Sequence, residues 1–465
     1  MKKRFFAIAL LITGTLSVAA SQLTVTNTAA GKLSALIGNE ARNVDSLTVE
    51  GPMDLKDIRV AWDGSFNGQL KYLNIAKAEF KDNKIPDYAL YVKTEQKGEK
   101  RFLNIDEVVL PENLEEIGAY AFSYTMLTRM TLPPTLKKLG EGAFRICNLT
   151  YDKTRGDNFR LPEGIEEIPD FCFYGSVNCN EFHFPQSLKR IGKSAFECCF
   201  IHRIELPPNL EGTGERVFAQ SSLREVVFKG ECKNLGTFAF SDSPNLEKLI
   251  LPSDIEIIPA ALISESKIIT LEIPESAKII DEDAIGCNYY LNNVIFHEGL
   301  EEIRRSAFLL CDDLKTFMLP STIKFVGQFA LAEASTVFCK ATTPPSCEGN
   351  IGRYKPTVYV PIGTKALYAE AEGWKDAKGI IELSADEFDM AGIGDVTAPE
   401  STVTVTTADG QAIIETAAES PTYFAIYSAD GRLVTKGMAA PRAAVSLTPG
   451  IYIVKTANSA TKIAL

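Results

Sequence analysis

The sequence predicts a mainly β solenoid with some α/β character, right-handed and built on a parallel sheet, followed by a small all-β immunoglobulin-like sandwich. Three observations carry this: a frame that returns every 22 or 23 residues, a strand-like alternation opening each unit, and an abrupt change of composition after residue 400. One frame reads Leu110-Pro111-Glu112-Asn113-Leu114-Glu115-Glu116-Ile117-Gly118 with Ala121-Phe122. The next reads Leu132-Pro133-Pro134-Thr135-Leu136-Lys137-Lys138-Leu139-Gly140 with Ala143-Phe144. A unit this short cannot bury its apolar side alone, so it has to stack on its neighbours.

Residues 1–20 read as a secretory signal: Lys2-Lys3-Arg4, the apolar stretch Phe5 to Ile12, then small residues ending Val18-Ala19-Ala20. The apolar core falls short of the roughly 20 residues that cross a bilayer, and Gly14, Thr15 and Ser17 interrupt it. No cysteine precedes Cys147, which excludes a lipid-modified cysteine at the cleavage site. No later segment is apolar for long enough to span, so no integral membrane segment is expected in the mature chain, whose predicted address is extracellular or the outer cell surface. With Lys+Arg 48 against Asp+Glu 60, the net charge is −12. Loss of the three positive charges in the signal takes it to −15. Such a chain repels phosphate backbones, and nucleic acid is excluded as a partner. The 45% hydrophobic content excludes global disorder.

Residues 21–100 form an N-terminal region and solenoid cap, and 101–335 hold about ten repeats. The anchor of each repeat falls at Phe122, Phe144, Phe173, Phe196, Phe218, Phe240, Leu262, Ile285, Phe308 and Leu331, giving steps of 22, 29, 23, 22, 22, 22, 23, 23 and 23. A polar insert around 150–158 explains the one irregular step. Stretches such as Leu223 to Phe228 and Leu246 to Leu251 alternate as strands do, and a Pro usually stops them. Gly118, Gly140, Gly192, Gly214, Gly236 and Gly327 are expected at tight turns with positive φ. The period lies in the range of leucine-rich repeats.

The unit Leu-Pro-x-x-Leu-x-x-Ile-Gly-x-x-Ala-Phe, with Cys147, Cys199 and Cys311 three residues after the Phe, resembles the BspA-like leucine-rich repeats of bacterial surface proteins. Leu47 to Gly51, Asp57-Ile58 and Leu73 to Ala76 look like that family's N-terminal cap. Ala341 to Pro345, Val358 to Pro361, Tyr368 and Trp374 look like its C-terminal cap, over 336–383. The resemblance is specific for scaffold and says little about the ligand.

Ten cysteines in a secreted chain invite a disulfide framework. Their spacing favours buried thiols instead: Cys147, Cys199, Cys311 and, one place earlier, Cys287 are expected to point into the stacked core. Cys339 and Cys347, flanking Pro344-Pro345, are the best candidate disulfide pair. Zinc is disfavoured, since there is no paired CxxC and Cys198-Cys199, read as adjacent on a strand, would face opposite sides.

Catalytic patterns are thin. There is no HExxH, no GxSxG and no GxGxxG tied to a strand and helix. The repeat frame accounts for Gly192-Lys193-Ser194, and Glu115-Glu116, Glu166-Glu167 and Glu301-Glu302 share one solvated place in it. Asp281-Glu282-Asp283 lacks the glycine and spacing of a calcium loop. His183, His202 and His297 lie at different offsets and read as surface or edge residues. No cofactor, no metal and no catalytic residue is predicted.

Alternation along the strands defines two outward columns. One is Glu107, Arg129, Asn158, Glu181, Arg203, Glu225, Lys248, Thr270, Asn293, Thr316, whose opposite charges are expected to pair across strands. The other is Val109, Thr131, Arg160, His183, Glu205, Val227, Ile250, Glu272, Ile295, Met318, apolar in its second half. Val227, Ile250, Ile295 and Met318 are the candidate partner-binding face; ordinary β-propensity is the competing explanation, and Glu272 breaks the run.

Residues 384–400 read as a linker. Beyond it, seven short strands separated by Asp409-Gly410, Asp430-Gly431 and Pro449-Gly450 suggest the sandwich, over 401–465. Ile426 to Val434, with Leu447 to Lys455 and Lys462, look like the C-terminal sorting domain of type IX secretion cargo, which implies contact with export machinery; an accessory adhesion domain that stays in place is the plain alternative. The expected function is non-catalytic, surface-displayed binding of a protein or glycan, adhesion above all. A structural envelope protein, or an enzyme or inhibitor using the 150–158 insert, are the other readings.

Overall fold

The computed structural model describes residues 22–37, 44–66, 70–91, 103–150, 160–385 and 387–388, and the strands of the tail between 403 and 464. The predicted signal, the body of the insert and most of the linker lie outside the described residues.

The turns of the solenoid contribute to two rows of parallel strands, the wide and the narrow sheet, each divided into several hydrogen-bonded sections. The wide sheet collects strands such as Glu107–Val109, Arg129–Thr131, Val177–His183, Phe200–Leu206, Glu225–Phe228, Lys248–Ile250, Thr270–Glu272, Asn293–Ile295, Thr316–Leu319, Thr336–Cys339, Thr357–Pro361 and Gly379–Leu383. The narrow sheet is built from two-residue strands, among them Glu116–Ile117, Arg190–Ile191, Ile279–Ile280 and Phe325–Val326. All pairings described in the solenoid are parallel. The described residues of the repeats contain no α-helix; Leu33–Ile37 and Leu55–Phe66 belong to the N-terminal cap and Lys365–Glu370 to the C-terminal cap. In place of the expected α/β character, the second half of most described repeats is a short strand and a bend. None of the described helices is long and apolar enough to cross a membrane.

The anchor rings stack along the axis. Centroids of Phe122, Phe144, Phe173, Phe196, Phe218 and Phe240 follow one another at 5.4, 5.3, 5.2, 5.4 and 5.8 Å, with interplanar angles no larger than 21°. Backbone bonding shows which residue continues the column. Phe196 N–H donates to the carbonyl of Val217, just before Phe218, and Phe240 N–H donates to that of Leu262. The next anchor is therefore Ile263, which bridges Phe240, and not Leu262 as the spacing suggested. Leu262 takes the place that Ala holds elsewhere, and both residues are fully buried.

The glycines act by closeness, not by positive φ. A Cβ on Gly140 would lie 2.3 Å from Ala119 N, one on Gly214 would lie 2.4 Å from Lys193 N, and one on Gly327 would lie 2.5 Å from Arg305 N. Left-handed backbone falls two residues before and two after the anchor, mostly on other residue types: Tyr120, Ser194, Arg216 and Phe238 before it, Tyr124, Ile146, Cys198 and Gln220 after. Each such residue costs about 1 kcal/mol or more, and bonds to the next turn hold it there, as in Ile146 N–H to Tyr174 O at 2.8 Å.

Three residues after each anchor runs a buried ladder: Thr125, Cys147, Ser176, Cys199, Ser221, Ser243, Ser266, Asn288, Cys311 and Ala334. Several of its donors reach the carbonyl of the anchor one turn back, whereas Thr125 bonds its own anchor and Ser266 bonds forward to Asn288. Cys147 Sγ meets Phe122 O at 3.0 Å, Cys199 Sγ meets Phe173 O at 3.1 Å, and Cys311 Sγ meets Ile285 O at 3.2 Å. Asn288 Nδ2 serves Ile263 O and Ile285 O and its oxygen accepts from Ser266, so a bulkier amide fits the same place. Burial pushes Cys147 and Cys311 up to about 12 and Cys199 up to about 11. These thiols are protonated at neutral pH and act as small donors.

Three cysteine expectations are corrected. Cys287 sits two residues after its anchor, at a left-handed position, and is half-exposed; Asn288 holds the ladder place. Cys198 lies in that bend too and not on a strand. Cys339 and Cys347 are free thiols: the Cys339 sulfur accepts from Tyr368 Oη at 3.1 Å inside the C-terminal cap.

At the N-terminal end, buried Asp57 accepts from the backbone N–H groups of Gly31, Leu33 and Asp54 at 2.6, 2.9 and 3.0 Å, pinning both cap helices. The tail forms a three-stranded and a four-stranded antiparallel sheet, seven strands as expected, around Ala412, Ile414, Phe424, Ile426, Tyr452 and Val454.

Candidate functional site

The outer face of the wide sheet keeps the register that alternation requires. Glu181, Arg203, Glu225 and Lys248 are consecutive partners, as are His183, Glu205, Val227 and Ile250. Glu272 pairs with Ile295, and Met318 pairs with Phe338. Asn158 lies outside the described residues.

In the first half of the face, charges pair with one another. Arg129 meets Glu107 at 3.0 Å, Arg203 meets Glu181 at 3.5 Å and Glu225 at 3.1 Å, and Lys248 meets Glu225 at 2.7 Å. Lys248 and Arg203 beside it hold the Glu225 carboxyl below the usual range. Lys229 reaches back to Glu205 at 3.2 Å, next to a cleft of about 350 Å³ lined by His183, Phe184, Gln186 and Pro208.

The four predicted contact residues do not behave alike. Ile250 is 44% exposed and Ile295 39% exposed. Met318 is half-buried. Val227 is only 9% exposed and drops out of the accessible face, because Glu205 with its Lys229 partner flanks it on one side and Ile250 on the other. Glu272, which interrupts the apolar run, is met by His297 Nε2 at 3.0 Å.

The apolar column extends further than expected. Beyond Met318 come Phe338, Tyr359 and Ile381, in register. The rings of Phe338 and Tyr359 stack at 4.6 Å, and Phe388, buried, lies edge-on against Phe338. These residues were missed because the repeat spacing shortens here, from 22 or 23 to 20 and 21. The signal was present: Thr336-Val-Phe-Cys339 and Thr357-Val-Tyr-Val360 repeat the alternation of Thr316-Phe-Met-Leu319.

Beside that column stands an uncharged one: Thr270, Asn293, Thr316, Thr336 and Thr357, in register within each sheet. No group of three or more His, Cys, Asp or Glu suited to a metal occurs among the described residues. Asp281, weighed for calcium, is bonded to Arg304 at 3.1 Å.

A family model described as the BspA type leucine rich repeat region matches residues 65–150, 149–269 and 214–337, six copies in all. Among solved structures, a leucine-rich repeat protein from Bacteroides ovatus is 18% identical, with a TM-score of 0.42, 64% of this chain and 88% of that chain being covered. A leucine rich cell surface protein from Faecalibacterium prausnitzii is 17% identical, with a TM-score of 0.34, covering 66% of this chain and 85% of that one. No curated protein matches the chain.

Proposed function

Given that this chain belongs to the BspA-type leucine-rich repeat family, we propose that it is a secreted, surface-displayed protein that binds a macromolecular partner, protein or glycan, through the outer face of its wide sheet, without catalysis. The observation that carries this is the apolar column Ile295, Met318, Phe338, Tyr359 and Ile381, exposed at its two ends, where a sheet turned to water would be polar. Solenoids present extended surfaces of this kind to large partners.

The binding face is tested with Ile250→Lys and Ile295→Lys. Both side chains are well exposed, so the fold survives and the thermal midpoint moves by less than a few degrees. Capture of partner-bearing cells or matrix by the purified chain falls at least about tenfold, as a charge set against a desolvated apolar contact costs over 1.4 kcal/mol. Unchanged capture by the double variant removes this face from consideration.

We assign the tail to export. Its seven-stranded sandwich and the motifs Ile426 to Val434 and Leu447 to Lys455 support a sorting role. Deleting 401–465 is expected to abolish display on cells that carry the export system, read by protease shaving and mass analysis. Continued display of the truncated solenoid would make the tail an accessory domain.

A further inference from the structure

The outer face changes character along its length. From Glu107 to Lys248 most of its charges are matched to one another in described ion pairs, exposed Arg160 being the exception. From Thr270 onward the two outward columns carry a single charge, Glu272, which His297 meets. The remainder is a hydroxyl and amide column, Thr270, Asn293, Thr316, Thr336 and Thr357, alongside Ile295, Met318, Phe338, Tyr359 and Ile381. Thr270 and Thr316 are exposed and the other three polar residues half-buried. Among the described residues their side chains make no hydrogen bond, so their donors and acceptors are unspent.

We propose that this uncharged half of the sheet is a platform for an electrically neutral glycan laid across the strands. The assignment rests on the reading of the outer face as the contact surface. Four strands, Asn293–Ile295, Thr316–Leu319, Thr336–Cys339 and Thr357–Pro361, each contribute one hydroxyl or amide and, beside it, one apolar group, and the last three are hydrogen-bonded neighbours about 4.8 Å apart. A sugar unit of similar length offers the matching pair, a hydroxyl-bearing edge and a C–H face. Polar groups without internal partners favour a ligand that supplies hydrogen bonds along its whole length. A protein hot spot is built differently, on Trp, Tyr and Arg, with Thr under-represented. Strand addition by a peptide is closed off within the sheet, since both edges of Thr336–Cys339 and Thr357–Pro361 are already paired. Phe388 of the same chain lies edge-on against Phe338, so this column already accepts an apolar surface from outside the repeats. Neutrality follows from charge: neither column holds a cation, and an anionic polymer would meet Glu272.

The test is electrophoresis of the full chain through gels holding neutral polysaccharides (laminarin, yeast mannan, galactomannan) or anionic ones (heparin, hyaluronan). Retardation by at least one neutral polymer and by neither anionic one is expected, with less than twofold change as salt rises, because no charge pair is there to screen. Thr336→Val with Thr357→Val keeps shape, charge and strand preference, yet removes two hydroxyls. Neutral-polymer affinity is expected to fall about tenfold, as lost hydrogen bonds require. An apolar protein contact would be unmoved or strengthened by the same change. The inference is overturned if none of the neutral polymers retards the chain, or if the double Val variant binds them as well as before. Should the neutral polymers fail while Ile250→Lys and Ile295→Lys still abolish capture of a protein partner, the glycan is wrong and the contact face stands. If those Lys variants also change nothing, both readings fall.

Discussion

Phe196→Ala is expected to lower the free energy of unfolding by about 3–5 kcal/mol, the cost of a large buried ring turned into a cavity. Phe196 is fully buried and is the centre of an aromatic cluster. It stacks between Phe173 and Phe218 at 5.2 and 5.4 Å and receives Phe182 and Phe184 edge-on at 5.0 and 5.5 Å. Each aromatic pair adds about 0.5–1.5 kcal/mol beyond area burial, which places this variant at the upper end of the range. Because a solenoid's stability is close to a sum over neighbouring turns, the damage is local and the urea transition should separate into two steps, the turns around Phe196 melting first. A single transition shifted by less than about 1 kcal/mol would mean that the stack contributes little beyond filling space.

Trp374→Ala is expected to act as strongly, by a different route. Trp374 is fully buried in the C-terminal cap, edge-on to Tyr368 at 5.4 Å, and its Nε1–H donates to Pro345 O at 2.8 Å. Burial raises the Tyr368 hydroxyl far above its ordinary range, so it stays protonated and shares its one hydrogen between Cys339 Sγ and, at 2.7 Å, Ala341 O. Removing the indole leaves a cavity and an orphaned carbonyl, for about 3–5 kcal/mol together. It also opens the end of the core, and a solenoid without its cap aggregates. Light scattering at rising protein concentration is the readout. Trp374→Phe keeps the ring and loses the bond, so it should cost only about 1–2 kcal/mol and stay monodisperse. Equal behaviour of the two variants would show that the hydrogen bond, and not the packing, holds the cap.

Much of this fold was legible in the residues. The Leu-Pro and Ala-Phe frame gave the period, alternation placed Arg203 opposite Glu181 and Glu225, and seven strand-like runs stood for the seven strands of the tail. What escaped has physical causes. Ile263 is hard to tell from its neighbour because Leu262-Ile263 offers two aliphatic residues where other turns offer Ala-Phe. The glycines look like left-handed turns in sequence because sequence does not distinguish a conformational need from a steric one. Val227 looked as exposed as Ile250 because nothing in a one-dimensional pattern reveals that Lys229 reaches to Glu205 alongside it. The aromatic end of the face was missed where the cap shortens the period.

The buried ladder three residues past each anchor has a consequence for how such chains change over generations. Thr, Ser, Cys and Asn serve there in turn, most of them directed at the turn before or at their own. A segment whose internal obligations reach back by one copy is exchangeable: duplicating or excising a whole copy leaves each remaining junction chemically equivalent to the one it replaces. Gain or loss of a single residue between the anchor and the ladder residue three places on would instead misalign ring, donor and carbonyl together, since that spacing is the same in every copy. Exchange of whole copies is one route by which the length of this surface can drift, while the alternation of 22- and 23-residue steps shows that single-residue changes are taken up elsewhere in a copy, and the 29-residue step takes up six or seven.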